Sequence, residues 1–201
     1  MISLYRTLPI AFGLTLLSPV ALAKSFKVDA AHSSVGFSIK HLVISNVKGR
    51  FNDFSGTFAL DDKTHALTSA EGEVKTKSID TGHAKRDEHL RSSDFFGVDD
   101  KNPASPNNTI KFKLNKFAGD GKKGTATGDI TIHGITKPIT LDIEIGGVAK
   151  DPQGSERAAF TADGRINRKD FGLTWNKALE AGGVVLSEEV AVHIEVEGVV
   201  P

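Results

Sequence analysis

The chain has 201 residues, 25 Lys plus Arg against 25 Asp plus Glu, and no cysteine. Balanced charge excludes a general polyanion binder, because phosphate-backbone affinity needs a net basic surface or stripe. Lys/Arg runs never exceed two residues, so nucleic acid is not an expected partner. The lack of cysteine excludes a disulfide framework and lipid attachment to a mature terminal Cys.

In chain order, the first segment, MISLYRTLPIAFGLTLLSPVALA, has the parts of an export signal. Arg6 supplies the positive start, Leu8 to Val20 the apolar stretch, and Ala21-Leu22-Ala23 the small-x-small site before Lys24. The apolar stretch falls short of the roughly 18 residues that cross a bilayer and is broken by Pro9 and Pro19. Residues 1–23 are therefore expected to be cleaved, leaving residues 24–201 as one exported domain without an integral membrane segment. Those 178 residues carry 24 basic and 25 acidic side chains, enough chain for one domain with its own core.

The remaining chain alternates apolar and polar residues with period two, the pattern of strands with one buried face. Three segments are especially clean: Ile110 to Leu114, Ile139 to Ile145 and Val190 to Val196. Weaker versions lie at Phe26 to Val28, Val35 to Ile39, Phe51 to Leu60, Glu71 to Lys77, Gly128 to Ile132 and Ala158 to Ile166. In this register Phe37, Ile39, Phe112, Leu114, Ile139, Leu141 and Phe160 face inward, and Lys40, Lys111, Lys113, Asp142 and Glu144 face water. One short helix is predicted over Ala84 to Arg91, with Thr81 as a cap and Asp87–Arg91 as an i,i+4 ion pair. Trp175 to Leu186, interrupted by Gly182-Gly183, reads as a loop crossing. Many short strands with little helix predict an all-β fold, an antiparallel barrel or sandwich, and exclude a parallel α/β sheet. Eleven Phe and one Trp remain after the signal, with no Tyr. Such rings either fill a core or line an oily slot, and an eight-stranded barrel is the size at which either is feasible.

The motifs then carry a resemblance. In order they are Asp29-x-x-His32-Ser33; Phe37-Ser-Ile-Lys-His41-Leu42; Gly49-Arg-Phe51-Asn-Asp-Phe54-Ser-Gly56; Ser78-Ile-Asp-Thr81; Arg86-Asp-Glu-His89-Leu90; Ser93-Asp-Phe95-Phe96; Gly128-Asp-Ile-Thr-Ile-His-Gly134-Ile-Thr136-Lys-Pro138; and Ile166-Asn-Arg168-Lys-Asp170-Phe171-Gly172. This series, from about Phe26 to Val196, resembles the YceI-like family of bacterial periplasmic polyisoprenoid-binding proteins. The resemblance implies a lipocalin-like antiparallel β-barrel of about eight strands, with a short helix near its mouth and a long hydrophobic pore. It also implies a periplasmic location and, as partner, a polyisoprenoid, an isoprenoid quinone or a similar long-chain lipid, bound without cofactor or chemistry. One departure stands out: the family's Tyr-Pro dipeptide is replaced by Asn102-Pro103 within a longer Gly97 to Asn108 loop, which is expected to border the pore mouth.

Candidate pore-lining residues are Phe37, Ile39, Phe51, Phe54, Leu90, Phe95, Phe96, Phe112, Leu114, Ile139, Leu141, Phe160 and Trp175. His41, Arg86, His89 and Arg91 offer donors to a head group, with a solvated helix face as the alternative reading for the helical three. Arg168 with Asp170, and Asp29 with His32 and Ser33, are read as turn-fixing groups. A rival class is a metal-dependent periplasmic hydrolase. Its support is limited to His83 and Asp87 at i,i+4, where a zinc site takes three or four protein ligands. A ligand-free stress-response interaction module with a filled core is the third reading. Charge and composition leave the oligomeric state open, with a homodimer the commonest assembly for such chains. Intact-mass analysis of the exported protein is expected to show Lys24 as the first residue; a retained leader overturns the export reading.

Overall fold

The computed structural model describes residues 22–179 and 183–201, so most of the expected signal lies outside the described residues. Among them, eleven strands form one sheet: β1 (Ala23–Val28), β2 (Ser34–His41), β3 (Ser45–Phe51), β4 (Phe54–Asp61), β5 (Leu67–Lys75), β6 (Ile79–Asp80), β7 (Thr109–Gly119), β8 (Lys123–Ile132), β9 (Ile135–Lys150), β10 (Glu156–Asn167) and β11 (Leu186–Val199). The single α-helix among them, α1 (Ala84–Arg91), lies between β6 and β7.

Register turns the eleven strands into eight staves. β1 and β2 lie end to end against β11, with Val28 opposite Gly198 and Ser34 opposite Glu195. β3 and β4 lie end to end beside them, Phe51 opposite Val35 and Thr57 opposite Lys27. β5 and β6 continue the third stave, Val74 opposite Phe54 and Ile79 opposite Phe51. From there β7 to β11 pair in sequence, all antiparallel, and β1 closes the ring on β11. The β1–β11 pairing closes the ring through β4 and β5, while β3 meets a strand on its second side only at Arg50 and Phe51.

The interruptions have local causes. Between β3 and β4 the Asn52 N–H donates to the Ser78 carbonyl and the Lys75 N–H to the Asp53 carbonyl, so the chain bonds to the 3-10 turn Thr76–Ser78 there. The expected single strand from Phe51 to Leu60 is therefore two. β3 escaped the period-two reading because Asn46, Lys48, Gly49 and Arg50 dominate it. Between β1 and β2, Asp29 makes an Asx turn, accepting from the Ala31 N–H, and Ser33 exchanges hydrogen bonds with the Glu197 backbone. Arg157 locks this break: its guanidinium binds Asp29 (2.8 Å), Glu197 (2.7 Å) and Asp151 (3.0 Å).

Helix α1 is capped differently from the sequence expectation. His83 is the N-cap, its ring accepting from the Arg86 N–H, while Thr81 donates its N–H and hydroxyl to buried Asp87. Asp87 is thereby used up. The expected Asp87–Arg91 pair does not form, because Arg91 donates to the Lys77 and Ile79 carbonyls. His83 and Asp87 likewise have separate partners, and no group of three or more His, Cys or carboxylate ligands found among the described residues includes them.

Inside, alternation holds as the sequence implies. Phe26 stacks on Phe58 at 5.2 Å, and Phe58 meets Phe160 edge-on at 5.0 Å. These rings join Leu60, Leu67, Leu141 and Ile143 in the larger apolar cluster. A second cluster of Phe51, Ile79, Phe96, Ile132, Phe171 and Leu173 seats α1's flank and the following loop on the wall. Glycines in the strands make room for the rings: a Cβ on Gly49 would stand 2.3 Å from the Phe37 ring, and one on Gly128 would stand 2.6 Å from that of Phe112. Overpacking of this kind costs about 1–3 kcal/mol.

Arg157 sets an acid limit. Its hydrogen bonds are the largest cause holding the Asp29 and Asp151 carboxyls below the usual carboxylate range. A depressed folded pKa gives stability that is present above the unfolded value of about 4 and is lost as pH falls through the folded one. Arg157→Met is expected to lower Tm at pH 7 and to flatten the fall in Tm below about pH 4. A variant with wild-type acid dependence, followed by circular dichroism, overturns this account.

Candidate binding cavity

The barrel interior is not filled. It encloses a cavity of about 460 Å³, within the roughly 300–1,000 Å³ of ligand pockets. The staves contribute Phe37, Ile39, Phe51, Phe54, Phe112, Leu114, Ile139, Leu141 and Phe160 to its wall, and the helix and loops contribute Leu90, Phe95, Phe96 and Trp175. Sequence alternation marks Phe37, Ile39, Phe112, Leu114, Ile139, Leu141 and Phe160 as inward-facing. It also marked β11 as a strand without assigning it to a site, yet Val190, Val192, Ile194 and Val196 line the cavity, as do Val47 and Ile130. Lys40, Lys111, Lys113, Asp142 and Glu144 are exposed on the outer face.

The two ends differ. At one end Phe26, Phe58, Leu60 and Leu67 are 4 % exposed or less and seal the barrel. At the other, His41, Val47, His89, Trp175 and Leu186 line the cavity while half-exposed, which makes this end the mouth. Phe160 belongs to the packed part, 9 % exposed and edge-on to Phe58. Phe112 is half-exposed, packs against the rim of the same cluster and borders open space.

Ser55, Thr57, Glu71 and Glu73 border the cavity along β4 and β5, and further polar groups lie toward the mouth. His41, Arg86 and His89 line the cavity, whereas Arg91 does not. Arg86 spends its guanidinium on the Thr81 hydroxyl (2.7 Å) and carbonyl (2.9 Å). His89 pairs with Asp94 at 2.8 Å and sits edge-on to Trp175 at 4.9 Å and Phe95 at 5.1 Å, fixing both rings at the rim. The Gly97 to Asn108 loop, expected at the mouth, contributes nothing to the lining. Hydrogen bonds from Asn107 to the Gly97 carbonyl, and from Thr76 to the Asn107 carbonyl, hold it against the outside of the β5–β6 turn.

Arg168, read from sequence as a turn-fixing group, is 3 % exposed and lines the cavity. Its Nε donates to the Ser187 carbonyl and its Nη1 to the Leu173 and Trp175 carbonyls, tying the loop after β10 to the start of β11. Its Nη2 is buried with no partner. Burial pulls its pKa down, opposed by Glu188, but a guanidinium stays charged. Asp170, two residues on, is exposed and takes no part in the wall. Away from the cavity, Asp29, His32 and Glu197 approach within 4.8 Å of one another. Arg157 already occupies both carboxylates, and a cation there would have to displace that guanidinium.

A closed antiparallel barrel of eight staves around a deep apolar cavity defines the lipocalin-like class of binding barrels. Comparison with known proteins agrees. The YceI-like domain matches residues 26–198, and the chain belongs to the YceI-like family. A UPF0312 protein of Photorhabdus laumondii is 39% identical over 191 residues, covering 94% of this chain and 93% of that one. The crystal structure of the Campylobacter jejuni YceI protein is similar with TM-score 0.66 and 38% identity, over 85% of this chain and 95% of that one. A polyisoprenoid-binding domain from Saccharophagus degradans shares the fold alone, with TM-score 0.62 and 14% identity, over 89% of this chain and 99% of that one.

Arg168→Leu should strand three carbonyls. An unsatisfied buried acceptor costs about 1–3 kcal/mol, so a loss of about 3 kcal/mol is expected in chemical denaturation, with Arg168→Lys rescuing little because an ammonium cannot span the three sites. Wild-type stability in both variants would contradict this role.

Proposed function

We propose that this protein is an exported, periplasmic carrier that holds a long isoprenoid-type or similar amphipathic lipid in the barrel cavity and performs no chemistry on it. The single observation that carries this reading is the deep cavity, walled mostly by aliphatic and phenylalanine side chains. Its membership of the YceI-like family supports the same reading. Among the described residues no helix is long and apolar enough to cross a membrane. Cleavage after Ala23 removes one residue of β1 and leaves the Lys24–Glu156 ion pair in place.

The energetics favour a long chain. Burying ten methylenes returns about 8 kcal/mol at roughly 0.8 each. Association and ordering cost at least about 4 kcal/mol, and micromolar binding needs about 8.2 kcal/mol net. About twenty buried carbons suit the requirement, and a short metabolite does not. At the mouth, the spare Arg168 Nη2 and His41 are the donors offered to a phosphate, quinone or amide head. Arg86 and His89 support the rim through the bonds they already make.

Mass spectrometry of an organic extract of protein purified without detergent is expected to reveal a stoichiometric long-chain lipid. Protein that carries none and takes none up from dispersion would sink the carrier reading in favour of a ligand-free interaction module. The two rings also separate pore from core. Phe112→Leu is expected to weaken lipid binding about tenfold, equal to about 1.4 kcal/mol, with little change in lipid-free stability. Phe160→Ala should cost the lipid-free fold about 3–5 kcal/mol. Equal loss of stability in both, with lipid uptake intact, would make both rings ordinary core.

A further inference from the structure

We infer that the β2–β3 turn is a docking tip that inserts into an anionic bilayer surface and sets the cavity mouth against the lipid. The inference rests on the carrier reading for its purpose and on separate observations for its geometry. Val43 and Ile44 are 72 % and 85 % exposed, far more than is usual for aliphatic side chains in this protein. They sit at the apex of a turn closed by the Ile44 N–H donating to the His41 carbonyl (3.2 Å). Both central residues have positive φ, Leu42 at 53° and Val43 at 65°. Such turns ordinarily take Asn-Gly, and a β-branched residue at positive φ is a strained outlier. Local stability would be better served by other residues, so the aliphatic tip calls for another explanation.

Position supplies one. His41, immediately before the turn, and Val47, just after it, both line the cavity. The Leu42 N–H donates to the Val185 carbonyl, and Val184 beside it is 42 % exposed, extending the apolar rim. Behind the tip, Lys40 and Lys48 are exposed on the outer face of the hairpin and take part in no ion pair among the described residues. The nearby carboxylates Glu188 and Glu189 are already neutralised by Lys169 and Arg165. An apolar apex backed by free cations matches a bilayer with anionic headgroups, where apolar insertion and lysine attraction add.

The test uses the mature protein, stripped of lipid, with vesicles of phosphatidylethanolamine and phosphatidylglycerol. Val43→Gly with Ile44→Ser removes the aliphatic apex while placing glycine where φ is positive, so its Tm should not fall. Vesicle partitioning in a flotation assay should drop at least about tenfold, and each of Lys40→Gln and Lys48→Gln should cost about fivefold. Wild-type binding should weaken as salt rises toward about 1 M. Uptake of detergent-dispersed lipid should be unchanged in the apex variant. Equal vesicle binding by wild type and variant, or no binding by either, overturns the inference. A wild-type dimer that the variant converts to monomer without any vesicle binding overturns it in favour of self-association. Uptake from dispersion without docking leaves the carrier reading standing, and docking without uptake removes that reading alone.

Discussion

Everything in this protein depends on the closure of β1 onto β11. A sheet of this size left open would present two rows of unpaired N–H and C=O groups and would have to bury its apolar face against another layer. Joined edge to edge, the wall pairs most of its own backbone and encloses its own apolar face. The interior is then free to be partly empty, since no polar backbone group points into it that needs an internal partner. The pairing that makes this closure is short, Lys27 to Val199 and Val28 to Gly198. It is reinforced where the first stave breaks, by the Arg157 cluster and the Ser33–Glu197 exchange.

The cavity is a result of unequal filling along one barrel. At the sealed end large rings interlock, Phe26 on Phe58 and Phe58 against Phe160. Glycine allows the tight fit, since a Cβ on Gly198 would stand 2.5 Å from the Phe58 ring. Toward the mouth the gap between β6 and β7 is spanned by α1 and its flanking loops. The rings at the rim, Phe95 and Trp175, pack on each other and on His89 across the top, at 5.1 Å and 4.9 Å from their neighbours, and leave the space below them open.

Two arginines mark the two ends and show the same chemistry put to different uses. Arg157, half-exposed, gathers three carboxylates and binds chain segments that the sheet ladder leaves loose. Arg168, buried, gathers three carbonyls and holds the loop that carries Trp175. A guanidinium suits both tasks because its five donors diverge in one plane. The difference is the remainder: one nitrogen of Arg168 is unused and buried at the cavity, a cost that an acceptor from a bound head group would relieve.

The sequence by itself determined which residues face inward. Period-two alternation is a local property, and it placed Phe112 and Leu114, or Ile139 and Leu141, on one side whatever the neighbouring strands were. It determined the all-β class, and its ordered motifs were sufficient to indicate the family. Tertiary structure alone decided what the polar motif residues do, because a hydrogen-bond partner is chosen by distance in space. Asp87 found Thr81 in place of Arg91, Arg91 turned to backbone carbonyls, and Arg168 became a cavity wall. The break at residues 29–33 was legible as an Asx turn, whereas those at 52–53 and 76–78 were hidden, since they arise from lateral bonds between segments that meet only when the barrel closes. Whether a phenylalanine fills the interior or borders a void was decided at the same stage. Phe112 and Phe160 read alike in sequence and both line the cavity; only the tertiary packing separates them, with Phe160 buried edge-on against Phe58 and Phe112 half-buried.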